Sequence, residues 1–597
     1  MKERKILKNK AYLYLTEFFA GMAVMAVELG ASRLLAPYFS SSQIVWTIII
    51  STIMIAMALG NIYGGRSADK NPDPDRLYRR LLIAAVWTAA IPVLGKYIIL
   101  LITGILIVTI SSNLLIAAGF LACMVIFVFP CFLLGTVTPS LTKYAVRSLD
   151  DSGSTVGRLG AANTVGSIIG TFTPTFITIP TVGTSVTFLI FSGILLALAM
   201  IYFISAHTGK CRCLVSVILF VLCSVFGHSG HFAFWNNSLA YEGESIYNYL
   251  QVQEDKDTVI LSTNVLFGIQ SISRKNGSLT GMYYDYAMAA PVMAGFVPDE
   301  EVSEASDKES GSGNDSVADV NAGARAVSDA GAQAESDAGA QAVSDAGAQA
   351  KSDAGDREES RAGGACDILI LGNGSGTYAK ECANYFPDAK IQGVEIDQKI
   401  TDLADRYFDM PDSVKVAAYD GRAYLEADRH TYDVIMVDAY QDISVPFQMS
   451  SVEFFSMVKE HLKPNGVMVV NMNMRASGEK SINSYLSDTI SAVFPSVYTV
   501  DVKGYTNREL FALNQNLDPD TLNERLDRIG DTDLRMLLKR VCGSLGQYRR
   551  GDLLLTDDKA PVELLSMRAI DQIINDELAY YKKLFREKGI QGVLNEL

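Results

Sequence analysis

At 597 residues the chain is too long for one domain, and 49% hydrophobic residues is high for a protein wholly dissolved in water. The net charge of −15 is mostly local, because residues 299–364 hold 16 Asp and Glu against 5 Lys and Arg. No basic patch points to nucleic acid, and eight scattered cysteines without a CxxC pair and five histidines at no ligand spacing point away from zinc and disulfides.

The chain opens on MKERKILKNK, followed by the apolar run AYLYLTEFFAGMAVMAVELG. About 20 helical residues at ~1.5 Å each cross ~30 Å of hydrocarbon. The basic tail holds the N-terminus on the cytoplasmic side, and the run is too long for a signal peptide. Further spans are predicted at 44–63, 81–103, 113–137, 160–180, 184–206 and 213–234, which makes residues 1–235 a multi-span helical membrane domain of about seven spans. The loop 64–80 and the loop after 138 carry Arg66, Lys70, Arg76, Arg79, Arg80, Lys143, Arg147 and Arg158, so both are expected in the cytoplasm. The expected address is the cell membrane, with the lipid bilayer as partner. A cytosolic small-molecule ligand would ask for a cytoplasmic C-terminal half, whereas seven spans leave that half outside, so the side stays open. Glu28, in the first span, is either a functional intramembrane carboxylate or a group near the outer interface paired with Arg33 or another helix. Gly60 and Gly64 have the spacing that lets two helices approach closely.

Residues 236–298 read as a small β-stranded part. Residues 299–364 contain an eight-residue repeat, AVSDAGAQ, and have no Leu, Ile, Met or aromatic residue, so they are expected to be a disordered insertion in a loop. From 365 to 597 the pattern turns to a Rossmann-type doubly wound sheet with C-terminal helices. CDILILG is a buried strand, GNGSG a tight turn, and TYAKECANYF a helix. KIQGVEID is a second strand whose Glu395 lies where a carboxylate accepts both ribose hydroxyls. KVAAYDG and YDVIMVDAY end further strands at Asp420 and Asp438, GVMVVNMN is a fifth, and VYTVDVK with ELFALN suits an antiparallel pair. Acids at successive strand ends line the crevice where such sheets bind ligands. No Lys-Ser/Thr pair grips phosphates, so a nucleoside with a charged, non-phosphate arm fits better than a triphosphate.

The string LGNGSGT, VEID, YDGR, YDVIMVDAY and EFF resembles the polyamine aminopropyltransferases, the spermidine synthase family. ESIYNYLQVQED, VLFGIQS and YYDYAMAAP resemble that family's β-stranded N-terminal domain, so the likeness covers roughly 240–298 and 365–515. LTDDKAPVE, ELGASRLLAPYF and GNIYGGRSADK resemble a membrane-fused branch, and the helical half resembles, weakly, half of a major facilitator transporter. The resemblance implies a class I methyltransferase-like fold and no permanently bound cofactor or metal. It implies decarboxylated S-adenosylmethionine as co-substrate, a diamine such as putrescine as acceptor, and a possible homodimer through the β-stranded part. Gly372, Gly374, Ser375 and Gly376 would form the nucleoside loop, Glu395 would hold the ribose, and Asp420 with Gly421 the adenine. Asp438 would take a proton from the attacking amine, with Gln270, Tyr283, Tyr284 and Gln441 around the acceptor. An alkylammonium of pKa ~10.4 has no lone pair at neutral pH, so the chemistry asks for such a group.

Two departures stand out. Where the family loop has an Asp this chain has Ser375, and where the family has a second acid after the first it has Gln441 with Asp442 one step later. The PTYPSG segment has no clear counterpart near Tyr505. Two alternatives follow: an S-adenosylmethionine-dependent methyltransferase, and a non-catalytic transporter or sensor binding polyamine or nucleoside.

Overall fold

In a computed structural model of the protein, the described residues are 9–39, 42–109, 114–146, 152–228, 239–264, 269–298, 365–439, 446–473 and 478–572, with a few isolated positions besides. The acidic repeat tract and Gln441 lie outside them.

The first half is helical: α1 (Lys10–Phe39), α2 (Gln43–Lys70), α3 (Pro74–Thr109), α4 (Leu114–Gly135), α5 (Val137–Ala145), α6 (Ser152–Thr173), α7 (Ile179–Ala206) and α8 (Lys210–Gly227). Among the described residues, six helical stretches are long and apolar enough to cross a membrane, one of them running from Ser152 to Ala206 over 55 residues. That stretch is two legs, because the chain breaks at Gly183 (φ 80°) after a π-turn at Pro174–Thr178. The packing partners fix the directions. Gly166 and Gly170 of α6 meet Phe18 and Met22 of α1, so these two run parallel. The Tyr12 hydroxyl donates to the Leu198 carbonyl at 2.7 Å, and Gly30 meets Phe188, so α7 runs antiparallel to α1. With that stretch divided in two, the described helical half has seven long apolar legs.

Close approach at glycine holds the bundle together. A Cβ on Gly60 would lie 2.2 Å from the Phe132 carbonyl oxygen, and one on Gly64 would lie 2.7 Å from Thr136 Cα, so the small-residue spacing serves α2 against α4 and α5. The enclosed carboxylate of α1 is Glu17, which the sequence reading passed over in favour of the half-buried Glu28. Glu17 Oε1 accepts from Thr138 Oγ1 at 2.5 Å and from Asn163 Nδ2 at 3.0 Å.

A four-stranded antiparallel sheet follows, β1 (Leu239–Glu244), β2 (Tyr249–Glu254), β3 (Thr258–Thr263) and β4 (Ser271–Arg274), in sequential order. Short helices α9 (Tyr283–Ala287) and α10 (Ala289–Ala294) lead to the large sheet. That sheet contains β5 (Asp367–Leu371), β6 (Lys390–Glu395), β7 (Val414–Ala418), β8 (Tyr432–Val437), β9 (Leu462–Met472), β10 (Ser496–Asp501), β11 (Arg508–Leu513) and β12 (Gly546–Gln547). Its order is β12-β10-β11-β9-β8-β5-β6-β7, with β7, β6, β5, β8 and β9 parallel and the rest antiparallel. Helices α11 (Thr377–Tyr385), α12 (Gln398–Tyr407), α13 (Gly421–Ala427), α14 (Val452–Glu460) and α15 (Ile482–Val493) cover its faces. Even-numbered Val434 and Met436 of β8 enter one apolar cluster, and odd-numbered Ile435 and Val437 enter the other, as the two-residue strand period requires.

The module with the two sheets docks on one end of the bundle. The Arg33 guanidinium donates to the Ile246 carbonyl, Thr184 N to Glu244 at 2.6 Å, and Gln43 N to Glu563 at 2.8 Å. The basic residues of 66–80 and Lys143 sit at the far ends of the same helices, where Lys143 pairs with Asp69.

The glycine seams generate a direct test. Gly166→Val would force a side chain onto the Phe18 carbonyl, which a Cβ would approach to 1.9 Å, whereas Gly160 meets nothing within 4 Å. We expect Gly166→Val to cost about 1–3 kcal/mol or more and Gly160→Val far less, read as the fall in Tm of the detergent-purified chain.

Candidate active site

The strand β5 delivers the chain into a loop in which Gly372, Gly374 and Gly376 take φ of 87°, 53° and 78°, the left-handed region that side chains with a Cβ rarely occupy. Gly372 is also pressed against the next strand end, since a Cβ there would lie 2.5 Å from the Asp438 carbonyl oxygen. Glu395 ends β6 beside this loop. Its Oε2 accepts from Gly374 N at 2.9 Å and its Oε1 from Asp397 N at 3.1 Å, so the carboxylate is clamped across the turn. Burial pushes its carboxyl above the usual range, and those N–H donors pull it part of the way back.

A cleft opens over these residues. Gly372, Gly374, Glu395, Asp420, Gly421, Asp438 and Gln270 line it, which brings together seven of the residues expected from the sequence. Asp420 serves twice, because its Oδ1 also accepts from Ala423 N at 2.9 Å and caps α13. Ser375 and Gly376 stand behind the loop. Ser375 N donates to Ser271 Oγ at 3.3 Å, so its backbone fastens the loop to β4, while its hydroxyl meets Thr377 Oγ1 at 3.3 Å and does not line the cleft. Gly376 is the N-cap residue of α11.

Asp438 follows β8 at the floor of the cleft. Tyr283 donates its hydroxyl to Oδ2 at 2.6 Å, and Asn471 donates Nδ2 to Oδ1 at 2.8 Å. Burial raises its carboxyl to about 7, the two donors oppose the rise, and negative Glu395 adds to it. A carboxyl that changes charge near neutrality suits proton transfer at working pH. The Tyr284 ring lies 3.9 Å from that of Tyr283, and its hydroxyl donates to the Gln270 carbonyl at 3.0 Å, which ties α9 to the end of the small sheet.

Further lining comes from Tyr247, Asn248, Ile396, Tyr419, Gln448 and Met449, which the sequence reading missed. Ile396 and Tyr419 sit next in sequence to Glu395 and Asp420, so the strand-end rule that found the acids would have found them. Tyr247 and Asn248 come from the small sheet through a tertiary contact, in which Ser245 Oγ and Asn248 Nδ2 donate to Asp397 Oδ2 at 2.5 and 3.0 Å.

Residues 360–514 match the family described as "Spermine/spermidine synthase domain". A probable polyamine aminopropyl transferase of Bifidobacterium longum is 44% identical over 415 residues, covering 67% of this chain and 78% of that protein. The chain belongs to the polyamine aminopropyltransferase family. The polyamine aminopropyltransferase of Chromobacterium violaceum is 27% identical over 152 residues, 25% of this chain and 57% of that protein, so the match spans little more than half of that relative. A human eEF1A lysine and N-terminal methyltransferase is 32% identical over 158 residues, 24% of this chain and 22% of that one. Sequence likeness thus extends to a protein named as a methyltransferase.

The Tyr283 hydrogen bond can be tested by its effect on pH. Turnover that needs the Asp438 carboxylate falls as pH drops through about 7. Tyr283→Phe removes a donor that favours the charged form, so we expect the acid limb of kcat/KM to move upward by about one pH unit.

Proposed function

We propose that this aminopropyltransferase moves an aminopropyl group from decarboxylated S-adenosylmethionine to a diamine such as putrescine, while tethered to a membrane by its helical half. The observation that carries the reaction is the Asp438 carboxyl, enclosed at a strand end, held on both oxygens and lining the same cleft as Glu395. Glu395 receives the ribose hydroxyls, and the turn around Gly372 and Gly374 lets the backbone approach the nucleoside. Asp420 and Gly421 face the base.

The acceptor arrives as an ammonium ion. Asp438 binds it and takes its proton, which frees the lone pair. The nitrogen attacks the aminopropyl carbon bonded to sulfur, the new C–N bond forms as the C–S bond breaks, and the electron pair leaves with sulfur as a neutral thioether. Much of the rate in such a displacement comes from holding the reactants in line. Asn471 and Tyr283 fix the direction of the Asp438 carboxylate.

We expect Asp438→Asn to lower kcat by about 10²–10⁴ while leaving nucleoside affinity within a few-fold. Calorimetry of the full chain with decarboxylated and ordinary S-adenosylmethionine checks the donor. Tighter binding of the ordinary form would move the reading to methyl transfer, and unchanged turnover in Asp438→Asn would remove its role as base.

The tether reading rests on the six apolar stretches and on their charge pattern. Lys10, the 64–80 loop, Lys143, Lys210 and Arg212 give one end of the bundle a basic excess, and the synthase module packs on the other end. By the positive-inside tendency this excess supports a cytoplasmic position for that end, with the module then on the outer face and not on the cytoplasmic one that a cytosolic co-substrate suggests. Protease added to intact cells should then cut within 299–364; cleavage only in inverted vesicles would reverse the orientation.

A further inference from the structure

Among the carboxyls outside the machinery described above, Glu509 is the one set into the same sheet face as Asp438. We propose that Glu509 is the second carboxylate of the acceptor site, holding the ammonium at the far end of a diamine whose near nitrogen reacts at Asp438. This rests on the reading that the acceptor amine binds at Asp438.

The register supplies the geometry. Val437 of β8 lies opposite Val470 of β9, so Asp438 and Asn471 occupy the next rung, in agreement with their 2.8 Å hydrogen bond. Asn471 in turn lies opposite Glu509 of β11. Val434 and Met436, Val469, and Phe511 with Leu513 share one apolar cluster, which places Asp438, Asn471 and Glu509 on that face of three adjacent strands by the two-residue period. Strands are ~4.8 Å apart, so the two carboxyl-bearing backbones are separated by ~10 Å. A short aliphatic diamine spans such a gap with one hydrogen bond of ~2.8 Å at each end.

Glu509 is 0% exposed, and neither carboxyl oxygen has a hydrogen-bond partner among the described residues. A buried, unpartnered carboxyl is costly, and an arriving cation removes the cost. Asp438 from β8 and Tyr378 from α11 interact with it electrostatically, α9 with Tyr283 and Tyr286 packs on the same strand, and the neutral Asn471, bonded to Asn507, lies opposite. Lys503, whose N–H donates to the Tyr286 hydroxyl, has an exposed side chain, and Arg508 on the opposite face pairs with Asp501. Burial and negative Asp438 hold the Glu509 carboxyl well above its usual range, which favours its protonated form until a cation enters. The location also answers one of the two sequence departures. Gln441 is neutral where the family resemblance leads one to expect an acid near the acceptor, and Glu509 restores a negative group to that side.

The test is calorimetric titration of the full-length protein in detergent near pH 7 with 1,4-diaminobutane and with propylamine. Each titration is run in two buffers of different ionisation heat, so that protons released are counted. In the wild type, we expect the diamine to release about one more proton than the monoamine as Glu509 ionises. Glu509→Gln should abolish that extra proton and weaken the diamine by about tenfold or more, with the monoamine affected much less, since an ion-paired hydrogen bond is lost. Glu509→Met, an apolar filler of similar length, repeats the measurement should the glutamine variant fold poorly. Unchanged proton release and diamine affinity in either variant overturns the assignment, as does an equal loss for both amines. Absence of aminopropyl transfer by the wild type, with the Glu509-dependent proton release intact, would instead remove the proposed reaction and leave this assignment standing.

Discussion

The site is organised around one buried carboxylate. Asp438 is carried to the cleft floor by a strand that is apolar on both faces, and the resulting desolvation is what brings its titration to about 7. Two neutral donors on different elements, Tyr283 and Asn471, keep it ionisable and directed. A cationic partner there would have lowered its proton affinity and removed it as a base at neutral pH. Neutral donors fix the carboxylate's orientation and leave it able to accept a proton.

That arrangement requires the small sheet and the large sheet to behave as one body. Tyr284 bonds the Gln270 carbonyl, Ser245 and Asn248 bond Asp397, and Ser375 reaches Ser271. Asp397 links the two most directly, because it also caps α12 and its N–H holds Glu395. Glu395 is therefore positioned through the same residue that docks the small sheet. The helical bundle joins this body through Arg33, Gln43 and Thr184 at one end only, so the module is fastened to the bundle without the cleft being built from it.

The glycine loop, the acids at strand ends and the succession of strands β5 to β9 along the chain were legible because each is a local signal: a turn that only glycine tolerates, a carboxylate one residue past a strand, and a run of apolar residues. The spatial order of those strands was not read from the sequence. Asn471 and Glu509 were not legible by that route. One is an amide in a strand read only as apolar, and the other belongs to a strand assigned as the second member of an antiparallel pair. Their meaning comes from register, since Asn471 lies opposite Glu509 and beside Asp438 only after β9 has paired with β8 and β11. Glu17 was passed over for a similar reason. Sequence shows an acid near the start of an apolar run, while its enclosure by Thr138 and Asn163 depends on how α5 and α6 pack on α1.

The chain's own residue order was enough to separate an apolar helical half from a half with a doubly wound sheet, and to name the carboxylates that line the cleft. These follow from hydropathy, periodicity and turn chemistry, which act over a few neighbouring residues. Packing alone turned Ser375 away from the cleft, gave Asp420 a second duty as a helix cap, and set the synthase module on the bundle end opposite the basic loops. Those outcomes depend on which distant segments meet, and that is fixed by the burial of whole faces together.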